Sequence, residues 1–477
     1  MKNKYLITSV GTALGIFLAL PVYSKITLPD CISDNMVLQQ QSETPLWGTA
    51  TAGKRVAVVT SWDSRTYTAV ADAHGKWAVN VETPQAGGPY SISISDGKKR
   101  VLTNVLIGEV WICSGQSNMA MPLAGWGQVT DYEQEIAAAD YPEIRLLHVK
   151  ETTAAAPRDE AATEHNGWQV CSPATISEFS SVGYFFGRHL NQQLHVPIGL
   201  INTSWGGTIA EAWTSGESLA AMPDFKAAVQ EVGAPAQLPD DNPNRPTVLY
   251  NAMIHPLTPY AVQGAIWYQG ESNADRAEQY KILFPLMIRD WRRAWGRDLP
   301  FYFVQLANFM ERKAEPQESH WAALREAQLQ TLQLNNTGMA VAIDIGDEKD
   351  IHPKNKQEVG RRLALAAEAN TYNKRIAFSG PVYTGYKIEN DKIHVYFKHA
   401  GTGLATSDGK APAGFAIAGP DKKFYWATAV VEKDRIVVSS PHVAFPVAVR
   451  YAWADNPACN LCNDAQLPAS PFRTDSW

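Results

Sequence analysis

The sequence predicts an α/β protein: a three-layer α/β/α domain with a mostly parallel sheet, flanked by β-sandwich-like modules. Three observations predict it. Between residues 108 and 369, short apolar runs of strand length alternate with longer stretches of helical period. Before residue 106 and beyond residue 372 that helical period is missing, and Val-, Thr-, Tyr- and Ile-rich runs stand between turn signals instead. Polar clusters also follow four of the central strand-like runs, which is where open parallel sheets present their ligand sites.

The size supports this division. At ~150 residues per domain, 477 residues make roughly three domains, here 25–106, 107–372 and 373–477, and 45% hydrophobic residues suffice for a large core. Residues 1–24 read as a secretory signal peptide: Lys2 and Lys4, an apolar stretch over 5–20, then Val22 and Ser24 before a cut near Lys25. The apolar stretch is short for a membrane anchor and nothing later is long enough to span. The expected location is the periplasm or the exterior. A net charge of −6 argues against nucleic acid or an anionic membrane as the main partner. The odd set of five cysteines, Cys31, Cys113, Cys171, Cys459 and Cys462, is no disulfide framework. In an oxidising compartment the CNLC pair, Cys459 and Cys462, is expected to form a local disulfide; without a second pair or suitably spaced histidines it is no zinc site. Cys113 reads as a small apolar core residue.

In chain order, strands are expected at 55–60, 66–71, 77–81 and 90–95, broken by turns at 51–53, 74–75 and 87–89. The central domain opens with Val110-Trp-Ile-Cys113, a buried strand. It continues with strands at 144–149, 198–202, 265–268, 301–306 and 339–343, and helices at 180–194, 277–295, 321–334 and 356–369. Residues 217–247, rich in Pro, Asp and Ala, form a surface excursion. The last module has strands at 382–388, 393–397, 424–431, 436–439 and 447–453.

The four polar clusters make the parts of a serine esterase. Gly115-Gln-Ser117-Asn118 puts Ser117 just past a strand, as a nucleophile if a base reaches it and otherwise as a helix cap. Asn202-Thr-Ser-Trp-Gly206-Gly207-Thr208 offers backbone N–H groups to an oxyanion, or an ordinary tight turn. Tyr268-Gln-Gly-Glu271-Ser-Asn273 supplies a side-chain amide at Asn273 and an orienting carboxylate at Glu271, or a cap for the following helix. Asp344-Ile-Gly-Asp347-Glu-Lys349-Asp350-Ile-His352-Pro353 supplies His352 as base, with Asp350 two residues away as its partner and Asp347 and Asp344 in reserve.

Taken together, GEVWICSGQSNM, NTSWGGTIAEAW, LYNAMIHPLTPY, GAIWYQGESNA and DIHPKNKQEVGRRLA resemble the bacterial sialate O-acetylesterases, secreted SGNH-type hydrolases related to carbohydrate acetylesterases. The resemblance runs over nearly the whole mature chain, to the terminal SPFRTD. It implies an SGNH-hydrolase-like fold that removes O-acetyl groups from sialic acids or sialoglycans with no metal or organic cofactor. Ser117 would be the nucleophile and His352 the base. Gly207 (Gly206 the near alternative) and Asn273 would join the Ser117 N–H in the oxyanion hole. One position departs: where many SGNH enzymes keep the acid, three residues before the histidine, stands Lys349. The partner of His352 is thus open between Asp350, Asp347 and a backbone carbonyl. GQSN alone also suits acetylxylan esterases, so acetylated polysaccharide is an alternative substrate. A catalytically silent carbohydrate-binding protein is the other alternative, since 15 Trp and 18 Tyr supply stacking faces.

Overall fold

The computed structural model describes residues 26–234 and 240–477. The signal peptide expected at 1–24 lies outside them. The architecture hangs on one strand. β1 (Val37–Gln39), β2 (Glu43–Thr49), β3 (Arg55–Thr60), β4 (Thr66–Val70), β5 (Lys76–Glu82) and β6 (Gly87–Ser95) build the N-terminal module, and β7 (Lys99–Gly115) leaves it. The first half of β7 pairs antiparallel with β6, and β1 lies parallel beside Leu106–Gly108. Its second half, buried from Val105 onward, is a central strand of the next layer. The boundary expected at 106 therefore falls inside a strand, where no turn residue marks it.

From there β8 (Tyr141–His148), β9 (Gln169–Cys171), β10 (Ile198–Ser204), β11 (Gly264–Tyr268), β12 (Phe301–Gln305) and β13 (Thr337–Val341) complete a sheet of order β13-β12-β11-β7-β10-β8-β9. Every neighbour pair is parallel except the edge pair β8–β9. Their near-unbroken apolar sequences follow from burial on both faces.

The helices are α1 (Ser117–Ala120), α2 (Tyr132–Ala137), α3 (Ser181–Leu194), α4 (Gly216–Leu219), α5 (Pro223–Gly233), α6 (Ala277–Ala294), α7 (His320–Thr331) and α8 (Lys356–Asn370). α3 packs on α8, and α6 on α7. Side-chain alternation along the strands separates these pairs into two layers. Trp111 on β7 meets Phe186 of α3 and Tyr302 of β12 on one face. Trp267 of β11 meets Phe284 and Trp291 of α6 and Phe301 of β12 on the other. This is the three-layer α/β/α arrangement the alternation predicted. The excursion at 217–247 carries structure its composition did not announce, namely most of α4 and all of α5, with Pro223 at the helix start, where a missing N–H costs nothing.

Beyond Tyr372 the chain is β, with sheets built around Val382–Glu389, Lys392–Lys398, Arg435–Ser439 and Thr428–Glu432, and around Phe424–Trp426, Phe415–Ala418, Ala448–Tyr451 and Phe472–Arg473. The run expected at 424–431 is two strands that belong to different sheets, and Leu404–Thr406, Phe415–Ala418 and Leu461–Asn463 are additional. The disulfide expected between Cys459 and Cys462 is not formed; both thiols are free. Cys462 is held in a strand paired with Leu404–Thr406. Cys459 stands outside that strand, two residues before its start. Cys113 is fully buried, as expected of a core residue.

Candidate active site

β7 ends at Gly115, and the geometry of the site begins there. Gly115 has φ +140°, and a Cβ on it would stand 2.1 Å from the Tyr268 carbonyl oxygen of β11. Only glycine allows this approach. The chain then turns, and each residue of GQSN has a separate task. The Gln116 N–H donates to Tyr268 O at 3.0 Å, and Gln116 Oε1 accepts from the N–H groups of Gly270 and Ser272 at 3.3 and 3.2 Å. Asn118 is buried, and its amide donates to Glu271 Oε1 at 2.6 Å and to the Ile351 carbonyl at 3.0 Å. Ser117, first residue of α1, is left pointing at the histidine.

Ser117 Oγ lies 2.9 Å from His352 Nε2. His352 Nδ1 lies 3.2 Å from Asp350 Oδ1, which also accepts the His352 backbone N–H at 2.9 Å. This network sets the tautomer: with Nδ1–H donated to Asp350, Nε2 is free to receive the serine proton. Burial, followed by the Lys356 cation, holds His352 below the ordinary imidazole value despite the Asp350 carboxylate. For Asp350, burial works upward. The His352 N–H and Lys354, whose Nζ is 3.2 Å from Oδ2, outweigh it and keep the carboxyl below the usual range. The reserve acids are engaged elsewhere. Asp344 forms a two-pronged pair with Arg362 at 2.6 and 2.7 Å, and Asp347 Oδ1 accepts the Lys349 N–H at 2.7 Å.

The expected oxyanion donors come from the ends of β10 and β11. The turn after β10 is drawn onto β7 by Trp205 N–H donating to Gly115 O at 3.1 Å. Gly206 lies against the serine: a Cβ on it would be 3.4 Å from Ser117 Cβ. Gly207, with φ +72°, has no atom within 4 Å of that position, and its carbonyl accepts from Asn244. Asn273 is buried and its amide is fixed in one orientation. Its Oδ1 accepts from Gln269 Nε2 at 2.6 Å and from Ala210 N–H at 3.0 Å, and its Nδ2 donates to Glu211 Oε2 at 3.0 Å. One amide hydrogen remains for another acceptor. Glu211 is held in turn by Arg276 at 2.7 Å. Glu211, Gln269, Gln116 and Lys356 were not singled out from the sequence. Gln116 and Gln269 had only their membership of the polar clusters as a signal there, Glu211 its place just beyond one of them, and Lys356 its closeness to His352.

A cleft of about 720 Å³ opens beside Ser117, with Trp126, Trp205 and Gly206 at its near end and His148, Lys150 and Glu151 among the polar residues of its wall. Trp126, 56% exposed, stands edge-on to the His352 ring at 5.3 Å.

Residues 107–369 match the family described as carbohydrate esterase, sialic acid-specific acetylesterase. The chain belongs to that family. It is 33% identical to the sialate O-acetylesterase of Pongo abelii, over 97% of this chain and 96% of the relative. It is 31% identical to the human one over the same shares. The crystal structure of a novel carbohydrate acetylesterase from Xanthomonas citri superposes with a TM-score of 0.87 at 42% identity, covering 95% of this chain and 100% of that one. Membership makes the chain a carboxylic-ester hydrolase, as the motifs implied, and removes the silent-binder alternative. The family match begins inside β7 and ends in α8, so it spans all four clusters.

Proposed function

We propose that the chain removes O-acetyl groups from sialic acids through an acyl-enzyme on Ser117, and the observation that carries this is the serine–histidine–aspartate line at the carboxyl end of β7. His352 takes the Ser117 proton through Nε2 as Oγ attacks the acetyl carbonyl. Asp350 fixes the tautomer and stabilises the imidazolium. The oxyanion is received by the Ser117 N–H, the Gly206–Gly207 turn, with Gly207 the expected donor, and the spare Asn273 amide hydrogen. His352 then protonates the departing sugar oxygen, which leaves as the free hydroxyl, and takes a proton from the water that attacks the acetyl-serine, releasing acetate and restoring Ser117. Lys150 in the cleft supplies a cation for the sialate carboxylate.

A second reading, a neutral acetylated polysaccharide, is favoured by the wall of the same cleft: Glu151, Glu164 and Glu178 outnumber Lys150. Acetate release from O-acetylated sialic acid and from acetylated xylan, compared with matched enzyme, separates the two. Ser117→Ala should lose about three orders of magnitude in turnover on either substrate while melting as the parent does. Appreciable turnover by that variant would sink the mechanism. For location, we propose export with cleavage after Ser24. The native protein should then begin at or near Lys25 by mass spectrometry, and an intact Met1 would refute export.

A further inference from the structure

Beside Ser117 and His352 stands a buried lysine that the mechanism does not use. Lys356 is fully buried, and it occupies the first position of α8. Both facts are unfavourable to a cation: burial strips its hydration, and the helix dipole is positive at that end. Burial, with Lys354 adding to it, pulls its ammonium down to about 7 against the opposing pull of Glu271 and Asp350. Its partners come from two other loops of the site. Nζ donates to Asn118 Oδ1 and lies 5.2 Å from the centroid of the Tyr268 ring, and Glu271 is the opposing charge that acts on it most strongly. Glu271 is as costly, with burial raising its carboxyl and Oε2 sealed from solvent without a hydrogen-bond partner. Asn118 stands between them, accepting from the ammonium and donating to the carboxylate. Its remaining amide hydrogen goes to the carbonyl of Ile351, the residue before His352.

We propose that Lys356 and Glu271 are positioning residues for ester hydrolysis: acting through Asn118, they lock the turn that carries Ser117 against the loop that carries His352. The inference rests on Ser117 and His352 being the reacting pair. Asn118 adjoins the nucleophile in the chain, and its amide can hold the Ile351 carbonyl only while Oδ1 is kept on the lysine side. A cation on Oδ1 and an anion on the amide fix that orientation. A neutral core could pack there with less strain, but it would leave the amide free to flip and the 2.9 Å Ser117–His352 approach unguarded.

The same cation acts on His352 through space. The charged and titratable groups that face the imidazole are Asp350 and Lys354 from its own loop and Lys356 from α8, with Ser117 and the Trp126 ring completing its surroundings. Lys356 opposes protonation, so the neutral base persists to lower pH. Those that face Lys356 are Glu271, Lys354 and Asp350, beside Asn118 and Tyr268.

The test uses p-nitrophenyl acetate, which needs only the acyl site and is independent of the sugar. Lys356→Met should lower kcat by about tenfold or more with KM within about twofold. The acid limb of kcat/KM should move to higher pH, because the histidine loses an opposing charge. A folded Lys356→Met enzyme with kcat within about twofold of the parent, or with a reduced kcat and an unmoved acid limb, overturns the proposal. Should that variant fail to fold, Glu271→Gln decides, since it keeps shape and an acceptor for Asn118. A kcat loss of about fivefold or more at unchanged KM supports the lock, and parental kcat refutes it. Ser117→Ala, measured alongside, keeps the two questions apart. If it is active, the underlying mechanism fails; if it is dead while the Lys356 and Glu271 variants behave as the parent, only the lock fails.

Discussion

At the scale of the residue, the unsettled part of the site was the partner of His352. The motif spacing was awkward, because Lys349 stands where SGNH enzymes commonly keep the acid, and the lysine is exposed and turned to Glu348. Asp350 reaches Nδ1 instead, from two residues away, because the loop folds its carboxylate back onto the His352 N–H. Under the proposed mechanism, Asp350→Asn should lower kcat by about a hundredfold or more, since an amide can offer its donor side and select the wrong tautomer. Asp347→Asn, whose carboxylate serves only its own turn among the contacts described, should leave kcat within about twofold. A loss below about tenfold for the first would take Asp350 out of the site, and a large loss for the second alone would move the role. Ser117 and His352 were legible as candidates in the sequence because each stands in a polar cluster after a strand. Asn118, Glu211 and Lys356 were not legible as supports. The contacts they make depend on which loops meet in space, and a lysine four residues after the histidine gives no sign in the sequence that it is buried.

At the scale of the element, the strand ends decide the chemistry. Gly115 shows how: the turn that carries Ser117 begins one residue beyond a point where β7 nearly touches β11. Gly115→Ala would force a side chain into a positive-φ position and into the Tyr268 carbonyl. It should cost about 2–3 kcal/mol of stability and displace Ser117. Chemical denaturation and kcat should fall together, and an alanine variant of parental stability would show that the two strands part easily. The central strands and the four long helices were readable because burial on two faces makes apolar runs, and burial on one makes a 3.6 period. Among what escaped were α4 and the three-residue strands of the last module, too short for periodicity to show, and α5, whose eleven residues lie in a stretch that its Pro, Asp and Ala content marked as a surface excursion. The join between the first two modules also escaped, because a strand that simply continues carries no punctuation.

At the scale of the whole molecule, the C-terminal β module is fastened to the catalytic layer by buried charge. Arg325 of α7 is fully buried, and its guanidinium donates to Leu306 O and Ala307 O beyond β12 and to Ala454 O and Asp455 O of the last module, at 2.7–3.0 Å. Arg473 makes a two-pronged pair with Glu326 of α7 at 3.0 Å, and Ser470 Oγ accepts from Gln305 Nε2 of β12. Arg325→Met would strand four carbonyls, so a loss of about 3 kcal/mol or more is expected in one cooperative transition. Separate melting of the two modules, or an unchanged midpoint, would show that they are only neighbours. The N-terminal module is joined in a different way, by sharing the single strand Lys99–Gly115. That has a consequence for heredity. Side chains alternate along a strand, so one residue gained or lost inside β7 would turn Trp111 and Cys113 to the wrong layer and carry Ser117 out of register. Lineages can lengthen the β6–β7 turn, but they have no seam at which to exchange the N-terminal module, and that module and the Ser117 turn must be inherited as one piece.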